Sequence, residues 1–263
     1  MSNSVKKHFL TLCIVACGIV FAVSACVLVG YFWEDRRAEA DFGVLRDISA
    51  GHADGSADDF TDVIGKYESL AAMNGDFVGW LRVYGMNIDY PVMQTRNDPE
   101  YYLHRNFEKE YSRAGTPFVS AVCDVAEPGD VTVVYGHKMK NGSMFGKLSD
   151  LIDPDFYGKH RYIRFDTPVE RRSYLIFCVA LTTVNTGEAS EYRYYDYSNF
   201  KDEEDFNRFV AGARERQCFD AGVSVSYGDE ILLLSTCEGA GENGRLIVLG
   251  KRIPNAEAPK YPQ

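Results

Sequence analysis

An uncharged apolar segment near the N-terminus constrains this chain more than any other feature. From Phe9 to Trp33, 25 residues contain no Asp, Glu, Lys or Arg. A helix of roughly 20 apolar residues is long enough to cross the hydrocarbon core of a bilayer. Lys6 and Lys7 precede the segment, so the positive-inside bias predicts a cytoplasmic tail at 1–8. We therefore expect a single-pass anchor in the cell membrane, with the remainder of the chain on the extracellular face.

Three other interpretations of this segment stay open at the sequence level. A cleaved signal peptide has an apolar region of only about 7–15 residues. The tetrapeptide VSAC, Val23–Cys26, resembles the site at which bacterial lipoproteins are cut and acylated, but the chain stays apolar after Cys26. A buried core helix is seldom so uniformly apolar. An uncleaved membrane anchor at 9–33 accounts best for the length and the flanking charges.

The composition of the chain describes a folded, acidic, β-rich protein. Hydrophobic residues make up 46% of the sequence and aromatic residues 13%, with 17 Tyr and 16 Phe, which favours a packed core with many strands. The formal net charge is −10. Because phosphate binding needs a cationic surface, this charge argues against nucleic acid as a partner.

The cysteines exclude two common scaffolds. Three of the seven lie in the apolar segment, where a thiol behaves as a small hydrophobic group. The other four are Cys123, Cys178, Cys218 and Cys237, with no CxxC pair among them. A dense disulfide framework and a structural zinc site of familiar spacing are therefore excluded. At most one bridge among the first three of these is conceivable.

The outward chain is predicted to be a stalk and linker at 34–57, a folded domain at 58–253 and a short tail at 254–263. Apolar spacing predicts helices beginning near Phe60 and near Phe206. Alternating patterns bounded by Gly and Pro predict about eight short strands. Together these elements indicate a closed or nearly closed β-barrel. The predicted strands are two within 77–94, then 116–123, 130–137, 161–167, 171–184 and the final pair in DEILLLSTC and RLIVLGKRI, with a short helix stopped by Pro154.

Three residues at the ends of predicted strands carry the chemistry. Cys237 ends the strand ILLLST, and Arg245 opens the next strand after a Gly-rich loop. If these strands pair antiparallel, the thiol and the cation are neighbours at one rim, where the cation lowers the thiol pKa and binds a developing oxyanion. His137 ends the strand VTVVYGH and is the preferred acid/base candidate. A core cysteine and a solvated arginine remain the alternative, and His104 and His160 are interpreted as surface residues.

Three long motifs resemble class B sortases of Gram-positive bacteria. They are GDFVGWLRVYGMNIDYPVMQ at 75–94, VVYGHKMKNGSMFGKLSDL at 133–151 and LLLSTCEGAGENGRLIVLGKR at 232–252. They occur in the order found in that family. The resemblance implies a mainly β fold: an eight-stranded sortase-type barrel with N-terminal helices, a helix inserted between strands 6 and 7, and one transmembrane helix in front.

The resemblance also implies an activity. A thiolate at Cys237 would cleave a C-terminal sorting motif of the NPQTN or PxTG kind after Thr, through a thioester. An amine of the cell wall precursor lipid II would then take the acyl group, which anchors surface proteins to peptidoglycan. His137 would move the protons and Arg245 would orient the substrate. Ser235, Glu238 and, less securely aligned, Leu103 would line the substrate groove, and no cofactor or metal is expected.

Other functions remain compatible with the same residues. A membrane-anchored cysteine protease or acyl hydrolase would resolve the acyl-enzyme with water. Papain-like enzymes, however, place Cys before His along the chain, whereas here His137 precedes Cys237. A pilus-assembling sortase would use the same site, and a catalytically silent binding barrel would leave Cys237 unreactive.

Overall fold

The computed structural model describes residues 3–50, 60–184, 186–188, 191–237 and 243–259. The chain divides into two compact units, Met1–Asp41 and Phe42–Gln263. Helix α1 covers Asn3–Ala50, so the helix predicted for the anchor runs on through most of the predicted stalk. It is long and apolar enough to cross a membrane, and Phe21 within it is 76% exposed. The predicted apolar helix is confirmed as a candidate membrane span, while its orientation stays a prediction.

Eight strands form a closed barrel in the order β1-β2-β3-β4-β7-β8-β6-β5. Closure comes from antiparallel pairing of β1 with β5, and the only parallel pairs among the described strands are β2 with β3 and β4 with β7. The predicted barrel is confirmed. Its strands are β1 Phe77–Val83, β2 Ile88–Met93, β3 Phe118–Val119, β4 Val131–Tyr135, β5 Tyr162–Asp166, β6 Arg171–Thr183, β7 Ile231–Cys237 and β8 Gly244–Ile253.

Strand β7 pairs with β4 on one edge and with β8 on the other. Residues 231–236 of β7 are all buried, which explains a nearly continuous apolar run rather than an alternating one. A strand in this position has partners on both edges, so its backbone groups are paired within the sheet. The strand therefore offers a rigid frame on which a site at its end can be held.

Two helices pack against the strands of the barrel. Helix α2, Phe60–Met73, directs the buried Tyr67 at Asp166 with an O–H···O distance of 3.1 Å. Helix α4, Glu203–Arg214, lies between β6 and β7 and begins at an Asp202 N-cap, which confirms the predicted inserted helix. Its buried face includes Phe206 and Phe209.

One local prediction was wrong in its extent, and another was incomplete. The strand predicted at 116–123 is reduced to Phe118–Val119, because the chain turns immediately afterwards, where Cys123 N–H donates to the Ser120 carbonyl. Pro154 does not merely stop a helix. A 3₁₀ turn ends at Ile152, and Pro154 then opens α3, Pro154–Lys159, where its missing N–H costs nothing.

Candidate active site

Two strand registers bring the three predicted catalytic positions to one rim of the barrel. In the antiparallel pair β7–β8, Cys237 is opposite Arg245. In the parallel pair β4–β7, Tyr135 is opposite Ser235, and the bond from Gly136 N–H to the Ser235 carbonyl, 3.1 Å, continues the pairing. His137 and Cys237 therefore each lie two positions beyond this matched pair. The predicted antiparallel return of the strand after Cys237 is confirmed.

Close packing holds the end of β4 against the loop that follows it. Phe145 is fully buried, and its ring lies so close to Gly136 that a Cβ there would be 2.7 Å from two ring carbons. The Phe145 N–H donates to the His137 carbonyl at 2.9 Å. Only glycine fits at position 136, because the aromatic ring lies so close. The same packing and the bond from Phe145 restrict the backbone of His137.

The loop from Lys138 to Gly146 is a compact turn defined by its own sequence. Lys138 and Met144 form an antiparallel bridge, and Gly142, at φ 83°, closes the turn onto the Met139 carbonyl. The Asn141 side chain accepts bonds from the N–H and hydroxyl of the following serine. Such side-chain bonds to the nearby backbone are typical of turns. The motif GHKMKNGSMFG is therefore a structural unit that presents His137.

The imidazole of His137 is half-buried and bonded to the backbone. Its Nε2 lies 2.7 Å from the carbonyl oxygen of Leu103. Because a carbonyl only accepts, Nε2 carries the proton, and in the neutral ring Nδ1 is left as the basic atom. Burial lowers the pKa of His137 below its ordinary 6.5, the bond to Leu103 opposes this, and the nearby His104 lowers it further.

A second histidine next to His137 was not anticipated from the sequence. The rings of His104 and His137 have centroids 5.2 Å apart, and His104 also lies against Tyr111 at 6.4 Å. The prediction that His104 is a surface residue is correct for its exposure. Its contact with the site depends on a fold that joins positions far apart in the chain, and no local pattern signals it. His160, by contrast, is half-buried and stacks on Phe156 at 3.9 Å.

Leu103 contacts His137 through its backbone carbonyl group. Its carbonyl is held in place because Gly115, at φ 62°, packs directly on it, with a hypothetical Cβ 2.4 Å from the Leu103 oxygen. The adjacent Tyr102 is buried and its hydroxyl donates to Asp76 at 2.8 Å. The segment is thereby anchored on both sides of the carbonyl that accepts from His137.

Ser235, predicted to line the substrate groove, is a buried residue near the end of β7. It is 1% exposed, and its Oγ lies 2.8 Å from the hydroxyl of Tyr194, which belongs to the segment between β6 and α4. Arg245 is half-buried, and its charge lowers the pKa of Tyr135 against the larger effect of burial, which raises it. The predicted position Glu238 lies outside the described residues.

The buried thiols elsewhere in the barrel are poor nucleophiles. Burial raises the pKa of Cys178 to about 12 and also raises that of Cys123. Since the thiolate is the reactive form, neither competes with a cysteine at the rim. Cys123, Cys178 and Cys218 are free thiols, and among the described residues no group of three or more His, Cys, Asp or Glu is arranged to hold a metal ion.

Comparisons with known proteins show the family and the fold of the chain. The family model of the sortase domain matches residues 81–253. Sortase B of Listeria monocytogenes is 33% identical over 194 residues, which cover 73% of this chain and 76% of that protein. The structure of the Staphylococcus aureus sortase B–substrate complex is similar with a TM-score of 0.74 at 28% identity, covering 85% and 99% of the two chains. A sortase B complexed with triglycine has a TM-score of 0.73 at 27% identity, covering 84% and 99%.

Proposed function

Because the chain belongs to the sortase family, in its class B, and is a cysteine transpeptidase, we propose that Cys237 is the nucleophile, His137 the proton carrier and Arg245 the oxyanion partner. The strand registers support this assignment above all. Cys237 is opposite Arg245, and His137 lies two residues beyond the end of β4, the strand that runs parallel to β7. A thiol, a cation and an imidazole at one rim are the set that acyl transfer through a thioester requires.

In the first half-reaction, the thiolate of Cys237 attacks the carbonyl carbon of the Thr–X peptide bond in the substrate. Negative charge develops on the carbonyl oxygen, where the guanidinium of Arg245 stabilises it. The C–N bond then breaks, and the leaving amine takes the proton that Nδ1 of protonated His137 carries. A thioester remains on Cys237. His137 is now neutral, and its Nε2–H still donates a hydrogen bond to the Leu103 carbonyl.

In the second half-reaction, an incoming amine attacks the thioester carbon. Nδ1 of His137 accepts a proton from this amine as the new amide bond forms, and the Cys237 thiolate leaves. The enzyme returns to a thiolate and an imidazolium. Because burial and His104 lower the pKa of His137, the imidazolium is the minor form at neutral pH, and only part of the enzyme is competent at any moment.

The proposed acyl donors are surface proteins that carry a sorting motif of the NPQTN or PxTG kind, and the proposed acceptor is an amine of lipid II. A relative crystallised with substrate and another complexed with triglycine support a peptide donor and an amine acceptor. Leu103, Ser235 and Glu238 are proposed to line the groove that binds the donor. Since Ser235 is buried under Tyr194, its contribution would come through the shape of the β7 end.

The proposed location is the outer face of the cell membrane. Residues 1–8 would form a cytoplasmic tail, 9–33 the membrane span and 34–57 a stalk, with the catalytic domain at 58–253 and the tail at 254–263 outside. The apolar helix and the preceding Lys6 and Lys7 support this orientation. An outer location also gives the enzyme direct access to a membrane-bound precursor.

The test is a product analysis with the full-length chain in detergent micelles. A quenched NPQTN-type peptide is incubated with and without triglycine or a diaminopimelate-containing acceptor, and products are identified by mass. We expect a transfer product that grows with acceptor concentration, and a thioester adduct on the intact enzyme. Hydrolysis that no amine alters would refute the transpeptidase mechanism and favour an acyl hydrolase.

Matched variants assign the roles. Cys237→Ala should abolish cleavage and the adduct, whereas Cys218→Ala removes a half-exposed thiol elsewhere and should leave both unchanged. Arg245→Ala should lower kcat by roughly 100-fold or more, as loss of an oxyanion donor does. Activity retained by Cys237→Ala would refute the assignment of the nucleophile.

A further inference from the structure

The hydroxyl of Tyr90 holds the loop that follows His137. Tyr90 lies in β2 and is 1% exposed. Its phenol oxygen accepts a buried hydrogen bond of 3.1 Å from the backbone N–H of Met144. The two residues are 54 positions apart in the chain. The bond therefore ties the loop to the barrel wall rather than to another part of the same turn.

Met144 depends on this bond because its backbone conformation is unfavourable. Its φ is 52°, in the left-handed region that residues with a side chain seldom adopt. The residue is 1% exposed, so its N–H would lack a partner if the phenol oxygen were removed. A conformation of this kind persists only where the surroundings determine it.

The position of Met144 is transmitted directly to His137. Met144 pairs with Lys138 in an isolated bridge, which closes the loop one residue beyond His137. The next residue, Phe145, donates its N–H to the His137 carbonyl at 2.9 Å. A displacement of Met144 therefore moves both backbone contacts that flank His137.

The ring of Tyr90 is in turn held by the last turns of α1. Phe42 contacts it edge to face, with centroids 5.1 Å apart and an interplanar angle of 76°. The guanidinium of Arg46 lies 5.9 Å from the centre of the same ring. Phe42 is 2% exposed, so the contact is part of a packed core. These residues belong to the same compact unit as the barrel.

We infer that Tyr90 is a positioning residue for His137, and that the Phe42–Arg46 segment of α1 supports catalysis by holding the Tyr90 ring. Tyr90 acts through the Met144 N–H and the loop, and it does not touch substrate. The inference rests on the proposed role of His137. By this inference, the end of the N-terminal helix contributes to catalysis through its contacts with Tyr90.

The closing experiment compares Tyr90→Phe with Tyr157→Phe in the full-length chain in detergent micelles. Tyr157, a buried residue of α3, is a matched control. Its hydroxyl donates a hydrogen bond of 2.7 Å to the backbone carbonyl of Ile176. Both variants lose a buried hydrogen bond between a phenol oxygen and the backbone, so both should lower Tm. Only Tyr90→Phe should lower kcat, by roughly tenfold, while its KM stays within twofold of wild type. The reason is that a displaced catalytic group lowers the rate of the chemical step.

Amide hydrogen exchange measured without substrate separates this inference from the proposed function. Exchange at Met144 and Phe145 should accelerate in Tyr90→Phe and stay unchanged in Tyr157→Phe. If the wild-type chain transfers no acyl group, the proposed function is refuted. The exchange measurement would still show whether Tyr90 holds the loop at Met144. If Tyr90→Phe keeps kcat within twofold of wild type, or slows it no more than Tyr157→Phe does, the positioning role is overturned.

The helix contribution is tested in the same assay by Phe42→Leu. This variant keeps an apolar side chain but removes the edge-to-face contact with Tyr90. We expect a smaller fall in kcat than in Tyr90→Phe, and no further fall when Phe42→Leu is added to Tyr90→Phe. Additive losses in the double variant would show that Phe42 acts by another route and would overturn this part of the inference.

Discussion

A single methyl group at Gly136 tests how tightly the proposed catalytic histidine is held. In Gly136→Ala, the new Cβ would lie 2.7 Å from two carbons of the Phe145 ring and 2.9 Å from a third, whereas ordinary contacts begin near 3.4 Å. Something must therefore shift by about 0.7 Å. Phe145 is fully buried and has no space to rotate away. Because Gly136 precedes His137 directly, part of the shift falls on the imidazole.

The expected effect on rate is similar in free energy to the effect on stability, since each tenfold loss of kcat corresponds to about 1.4 kcal/mol. Overpacking of this kind costs about 2 kcal/mol, which lowers Tm by about 4–8 °C in a domain of this size. A misplacement of about 1 Å near the reacting atoms lowers kcat by about 100-fold. For the shift at Gly136 we expect kcat to fall by roughly 10- to 100-fold, with a smaller change in KM.

The assay is the peptide transfer reaction with triglycine, run beside thermal unfolding of the same samples. Gly158→Ala is the matched control, because a Cβ at Gly158 meets no atom within 4 Å, and this variant should keep wild-type kcat. Adding Phe145→Leu to Gly136→Ala replaces the rigid ring by a flexible side chain and should restore kcat towards that of Phe145→Leu alone. If Gly136→Ala keeps kcat within twofold of wild type, or the double variant stays as slow as the single one, the packing argument is wrong.

Two further predictions concern charge. His104→Gln should raise the pKa of His137 towards 6.5 but not to it, because the repulsion from His104 is removed while burial remains. An NMR titration of the imidazole measures this, and an unchanged pKa would contradict it. Asp166→Asn should destabilise the barrel by about 3–5 kcal/mol, because it leaves the guanidinium groups of Arg82 and Arg164, 3.3 and 2.6 Å from the carboxylate, without their buried partner. Urea unfolding measures it, and a loss below about 1 kcal/mol would contradict it.

Much of the fold was predictable because the strands at its centre are strongly patterned. The apolar runs of β7 and β8 identify them as buried strands, and the Gly-rich stretch between them indicates a reversal of the chain. Prediction was poorer where the signal is short. The strand β3 has only two residues. Pro154 follows the end of a 3₁₀ helix and also begins α3, where the Asp153 side chain caps the N–H groups that follow.

The proposed site was predictable to the extent that its residues lie at strand ends within long motifs. Cys237, Arg245 and His137 were all identified in this way. His104 and Tyr90 were not, because each contacts the site or its loop across a large separation in the chain. Nor does the sequence indicate that Ser235 is buried under Tyr194, since that contact depends on how the segment after β6 folds back onto β7.

The sequence by itself determined the membrane-length helix, the strand periodicity, the turn after His137 and the identity of the three chemical groups. These properties depend on residue type and on neighbours a few positions away. Only the tertiary structure decided the strand registers, the bond from His137 to the Leu103 carbonyl, and the contacts of Tyr90 with both Met144 and Phe42. The physical reason is that these features arise when a closed barrel brings distant segments into van der Waals and hydrogen-bond distance. No local preference of the chain specifies which distant residue will be there.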